Sequence, residues 1–174
     1  MNESYEFRDK THFTAGATGK PGERIFYIQM GDLFDFISLK AEKQQVIALA
    51  GFLENLLSDM PHEEIQPYEA EIKSPSEPVW TAGQIAVGVD LHNQMMVVSI
   101  AEFQGFEESV EISNPSSLQD FIESDGANAR VFISQAQALD FISKTNELVS
   151  NSRPPCRLCG QPKNPDLHAC PRLN

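Results

Sequence analysis

Two stretches of the chain repeat apolar residues at helical spacing. Val46, Leu49, Ala50, Leu53, Leu56 and Leu57 fall at steps of 0, 3, 4, 7, 10 and 11, the stripe of a helix that buries one face and wets the other. This predicts a helix over Ala41–Leu57, with Glu42, Lys43, Gln44, Gln45 and Glu54 on its wet side. Ala138, Phe141, Ile142, Thr145, Leu148 and Val149 repeat the same steps. Ser134 and Gln137 open this second helix with a Ser-x-x-Gln capping box, which satisfies orphan amides at a helix start.

The remaining apolar runs are β-branched, aromatic and bounded by turn residues, so they read as strands. Phe7–Ala17, Arg24–Met30 and Leu33–Leu39 form a meander with hairpin-sized connections at Gly16–Gly22 and Gly31-Asp32. Trp80–Asp90 and Gln94–Phe103 form a second hairpin, followed by a short strand at Val110–Ile112 and another at Arg130–Ile133. Leu118, Phe121 and Ile122 hint at a helical turn or two within 114–129. Phe36-Ile37-Ser38 precedes the first helix and Phe132-Ile133-Ser134 the second, which points to a duplicated unit of strands followed by a helix.

The expected fold is therefore α+β, an antiparallel sheet packed against two amphipathic helices. It occupies residues 1–150, with possible halves at 1–58 and 79–150. Residues 59–78 hold Pro61, Pro67, Pro75 and Pro78 among six acids and show no apolar period. They read as a long ordered loop or a mobile connector. Residues 151–174 form a separate tail.

Composition sharpens this picture in two places. The chain of 174 residues is 41% hydrophobic and carries a net charge of −12. In the tail, Arg153, Arg157, Lys163 and Arg172 outweigh Asp166, so the tail is +3 and the body −15. A body of that charge repels phosphate backbones and argues against nucleic-acid binding through its main surface, leaving contact through the basic tail as the weakest alternative. No run of ~18 apolar residues is present to span a membrane. The acidic N-terminus lacks the apolar core of a secretory signal, so a cytoplasmic protein is expected.

All three cysteines fall in the tail. An odd number cannot pair fully within one chain, and cysteines beside a histidine in a short segment point to metal binding. Cys156-x-x-Cys159-Gly160 is a zinc-knuckle turn: two thiolates clasp one ion, and the glycine relieves positive φ. His168 and Cys170, one residue apart, project to the same side of an extended segment. Cys156, Cys159, His168 and Cys170 thus make a Cys3His set, which closes a tetrahedron around Zn2+ and leaves no open position for a catalytic water. The tail has few large apolar residues, so metal binding would supply its folding free energy.

Arg153-Pro-Pro-Cys156-x-x-Cys159-Gly-x-Pro162 followed by His168-x-Cys170-Pro-Arg172 resembles the tail of the DUF3090 family of bacterial proteins. Gly16-x-x-Gly19-x-x-Gly22-x-Arg24-x-Phe26-Tyr27 and Gly83–Asp90 fit the same family, so the resemblance covers nearly the whole chain. This chain differs in having Lys144 as the lone basic residue of its second helix and in ending soon after the motif. No activity is assigned to the family. Its genes often neighbour lipid-kinase-like and histidine-phosphatase-like genes, so the resemblance implies an accessory role in a phosphoryl-handling pathway.

The body offers weaker candidates. Gly16, Gly19 and Gly22 with Lys20 and Arg24 could cradle an anion, though the spacing matches neither the P-loop nor the kinase glycine loop. A plain hairpin turn is the simpler reading. Arg24 and Arg130 are expected to pair with surface acids. Asp90 and His92 lie at a reversal with no nucleophile near them, and His12 and His62 read as surface polarity. The sequence points first to a non-enzymatic, zinc-binding adaptor or regulator of another protein. The alternative is a binder of a phosphorylated small molecule, or an enzyme accessory to a kinase or phosphatase pathway.

Overall fold

The structure, a computed structural model, describes residues 3–8, 10–32, 34–61, 65–74, 77–90, 92–105, 112–113, 126–150, 156–161, 163 and 170–172. The elements follow in the order β1 (Ser4–Phe7), β2 (His12–Thr18), β3 (Ile25–Gly31), β4 (Phe36–Ala41), α1 (Lys43–Asp59), β5 (Trp80–Asp90), β6 (Met95–Glu102), β7 (Ile112–Ser113), β8 (Asn128–Ile133) and α2 (Gln135–Ser150). The strands form one sheet in the order β1-β8-β6-β5-β4-β3-β2, with β7 added to β5.

This sheet corrects the expected antiparallel one. The local hairpins β2–β3, β3–β4 and β5–β6 are antiparallel, as is β6–β8. The pairs β1–β8, β4–β5 and β5–β7 are parallel, so the sheet is mixed. Parallel neighbours need a long crossover. Between β4 and β5 that crossover is α1 together with the proline-rich segment after it. The opening strand expected over Phe7–Ala17 is broken in two, with Lys10 at φ 48° inside the break. Its first part pairs with β8 and its second with β3.

That break forces the sheet to curl. A flat row of seven strands would separate its outer members by about 29 Å. The chain from Phe7 to His12 reaches at most about 17 Å. The two ends of the row must therefore approach each other, and the Thr11 hydroxyl, just before β2, donates to the Phe132 carbonyl of β8 at 2.7 Å. The helices close the concave side. Phe13, Ile28, Met30 and Leu39 from one half join Ile85, Met96, Ile100 and Ile133 from the other in a single core, together with Val46, Leu49 and Leu53 of α1 and Phe141 of α2.

Each helix is locked by a glutamine three residues after its cap. Gln45 Oε1 accepts from the Glu42 amide at 2.8 Å, and its Nε2 donates to the Ala82 and Gly83 carbonyls at 3.1 and 2.8 Å. Gln137 Oε1 accepts from the Ser134 amide at 2.8 Å, and its Nε2 donates to the Thr11 carbonyl and, at 3.0 Å, to the Thr11 hydroxyl. One side-chain amide thus caps the start of a helix and ties it to the beginning of a strand or the residue just before one, at both helices. The structural counterpart of Ser134 is Glu42. The Phe-Ile-Ser coincidence is consequently out of register, because Ser38 lies four residues before the cap and inside β4.

Gln137→Ala leaves the half-buried Ser134 amide without its acceptor and the Thr11 carbonyl with only a long, 3.5 Å bond from the Tyr68 hydroxyl. We expect a loss of about 2 kcal/mol in urea unfolding. Gln137→Glu keeps the cap acceptor but sets a carboxylate against a carbonyl, so it should be worse than alanine. A glutamate variant as stable as wild type would show that the Nε2 bonds carry no weight.

The described residues between α1 and β5 have no regular structure, yet side chains hold them down. Gln29 Nε2 donates to the Lys73 carbonyl at 2.9 Å, while its Oε1 accepts from the Lys73 amide at 3.2 Å. Asp140 accepts from the Ala70 amide at 3.1 Å, and Lys144, paired with Asp140 at 3.0 Å, donates to the Ala70 carbonyl. The Val79 amide then reaches the Ser38 carbonyl at 3.0 Å and leads into β5. This strap crosses the face of β2–β4 opposite the core, where Thr14, Gln29 and Ser38 pair in one row and are fully buried.

Candidate metal centre

Cys156 opens a tight turn. The Gly160 amide donates to the Cys156 carbonyl at 2.8 Å, and the Cys156 amide donates to the Gln161 carbonyl at 2.7 Å. Gly160 sits at φ +73°, a conformation that favours glycine, which accounts for the residue after the second cysteine. The turn brings Cys159 back beside Cys156, and Cys170 returns to the same place from fourteen residues on.

The three sulfurs lie within 4.8 Å of one another. Cys156 Sγ and Cys170 Sγ are 3.9 Å apart. That is too long for a disulfide, whose sulfurs are about 2.05 Å apart. Two thiolates bound to one zinc at about 2.3 Å and a tetrahedral angle would be about 3.8 Å apart. The cluster therefore fits a single soft cation, and the three cysteines can hold a metal ion between them.

The electrostatics run the same way. Amide hydrogen bonds from Cys159 and then Leu158 lower the Cys156 pKa to about 6, so this sulfur is largely thiolate near neutral pH. At Cys159 a bond from the Gln161 amide pulls down, but burial and the two neighbouring thiols raise the pKa overall. Crowded thiols hold on to protons when no cation is present, and a divalent ion between them would displace those protons. Cys170 is the most buried of the three, at 7% exposure. His168, named with them as a ligand, lies outside the described residues.

The other sequence candidates are placed differently. Gly16 sits inside β2 beneath Tyr27, its partner in register; a Cβ on Gly16 would lie 2.3 Å from the Tyr27 hydroxyl. Lys20–Glu23 is a turn closed by the Glu23 amide on the Lys20 carbonyl at 2.9 Å, with Pro21 and Gly22 (φ +104°) at its centre. Gly19 has φ +94°, and Lys20 is exposed at the turn. Arg24 reaches across to α2, where its guanidinium donates to the Leu148 carbonyl at 3.3 Å. A cation there complements the helix C-terminus, which has no basic residue of its own in the last turn. Gly16 thus belongs to a strand, Gly19, Lys20 and Gly22 to a hairpin turn, and Arg24 to the C-terminal end of α2.

Asp90 accepts from the Asn93 side chain and from the His92 and Asn93 amides. Those bonds, the Asn93 side chain first, hold its carboxyl below the ordinary range, as suits a turn residue. Arg130 pairs with Glu6 at 3.5 Å and donates to Ser99 Oγ at 3.2 Å. No helix among the described residues is long and apolar enough to cross a membrane.

Comparison with known proteins adds one finding. The sequence profile of a family described as "Protein of unknown function (DUF3090)" matches residues 5–170. The chain belongs to that family. No curated protein and no solved structure matches it.

Proposed function

We propose that this family member is a non-enzymatic adaptor or regulatory protein whose C-terminal segment is folded by one structural zinc ion, held by Cys156, Cys159, Cys170 and His168. The observation that carries the reading is the convergence of three sulfurs at a spacing that suits one tetrahedral cation. Thiolates select soft or borderline ions, and a tetrahedral thiolate-rich set favours zinc. His168 is two residues before Cys170, so a chain that delivers one ligand can deliver the other. Four protein ligands leave no place for a reacting water, which makes the ion structural.

A partner protein is the favoured ligand because the charge divides the chain. A basic, metal-folded tail on an acidic body offers two surfaces of opposite sign, and such surfaces steer and register protein association. The glycine-rich turn supports the phosphate alternative less well, since Arg24 is engaged with α2. Crosslinking in cells that express either the wild type or Cys159→Ser tests the adaptor role. A protein held by the wild type and lost with the variant supports it. Identical crosslinks from both, or none from either, contradict it.

A further inference from the structure

His12 stands on the strap side of β2, and little of it is exposed (9%). It approaches Phe36 across Gly31, to which both residues are paired in register. The His12 and Phe36 rings are 6.5 Å apart edge to face, and the Lys73 ammonium lies 4.6 Å over the same Phe36 ring. His12 Nε2 is buried with no hydrogen-bond partner. The charged groups around it are Lys73 from the strap and Lys144 and Asp140 from α2, with the uncharged Gln29 amide from β3. Asp140 already serves both Lys144 and the Ala70 amide.

This is a poor place for a positive charge. In this geometry a proton on Nε2 would be a buried donor with no acceptor in reach. The Gln29 side chain, whose hydrogen bond favours the charged ring, is outweighed by burial. The proton would also add a third cation beside two lysines whose one nearby carboxylate is committed. The group that can yield is Lys73, because the strap has no ladder of its own and is pinned at this point by the Gln29 side chain. We propose that His12 is a proton-operated latch: neutral, it lets strap residues 65–74 lie closed on the β2–β4 face, and protonated, it loosens the strap at Lys73 and Ala70.

The sign follows from the burial that lowers the His12 pKa, opposed by Gln29 and reinforced by Lys73 and Lys144. The open state, with an ordinary imidazole pKa of about 6.5, binds protons more readily than the closed state. The closed strap is thus fully favoured above that value and is lost as pH falls below it.

Native-state hydrogen exchange of the Ala70 and Lys73 amides tests the latch, with the Val98 amide of the core as reference. From about pH 7.5 to 5.5, protection at both strap amides should fall, by up to about tenfold, the most that one histidine of ordinary open-state pKa can give one unit below it. Val98 should hold, and His12→Asn should abolish the strap's response. Strap protection that stays flat in wild type, falls in step with Val98, or falls equally in His12→Asn overturns the proposal. Should His12→Asn fail to fold, the wild-type His12 ring resonances decide. They must titrate with the strap amides and below the ordinary value, and a midpoint at or above that value refutes the latch.

Discussion

Replacing Phe141 with alanine is expected to cost about 3–5 kcal/mol in chemical unfolding, the range for emptying a buried aromatic site. The Phe141 ring stacks on Phe13 with centroids 4.6 Å apart and planes 17° from parallel, and both residues are fully buried. Phe13 lies in β2, at one end of the strand row, and Phe141 in the last helix. The contact therefore fastens the closing end of the curled sheet to the helix layer. Neither neighbour can collapse into the gap without unpairing strands, so the upper part of the range is expected. Phe13→Ala should cost a similar amount, and the double variant should fall short of the sum by about 0.5–1.5 kcal/mol. Strict additivity would mean that the rings contribute only as independent filling.

If the proposed zinc site is right, Cys170→Ser is expected to weaken zinc binding by more than about 100-fold, since disturbing even the outer shell of a metal site costs about 10–100-fold. Cys170 is the least exposed of the three thiols and reaches the Cys156-x-x-Cys159 turn from the far side of the segment. Its removal leaves the proposed tetrahedron one ligand short, with only the two thiolates of one turn and His168 to hold the ion. Competition against a chromophoric chelator reads the effect directly. Affinity within tenfold of wild type would exclude Cys170 as a ligand. The neighbouring thiols that raise the Cys159 pKa also make binding proton-coupled, so affinity should rise with pH through the thiol range.

Much of the local structure was legible because local chemistry decides it. Both helices sit within two residues of the expected N-terminal ends, since an apolar stripe and a capping residue act within one turn. The hairpins followed from Gly31 and from the Pro21-Gly22 pair for the same reason. The sheet's hand of pairing was not legible in that way. Turn residues name the antiparallel neighbour, but β4 meets β5 and β1 meets β8 through distant segments. A signal was nevertheless present, because strand, helix, long connector and strand in succession is the outline of a parallel crossover.

The strap shows a second limit. Its sequence has no period because its order is supplied from outside, by Gln29, Asp140 and Lys144. The same blindness made His12 look like surface polarity. His12 and its neighbour Thr14 are instead buried, on the side of β2 that the strap crosses. Gly16 looked like part of an anion cradle, but its missing side chain makes room for Tyr27. The cysteine cluster was legible because metal ligation depends on residue type and short spacing, and these survive without knowledge of the fold.

Metal content by plasma mass spectrometry, on untagged protein purified without added metal, tests the central claim most directly. The account predicts about one zinc per chain, lost in Cys156→Ser. Protein that carries no metal and yields all its thiols to a thiol reagent would contradict it.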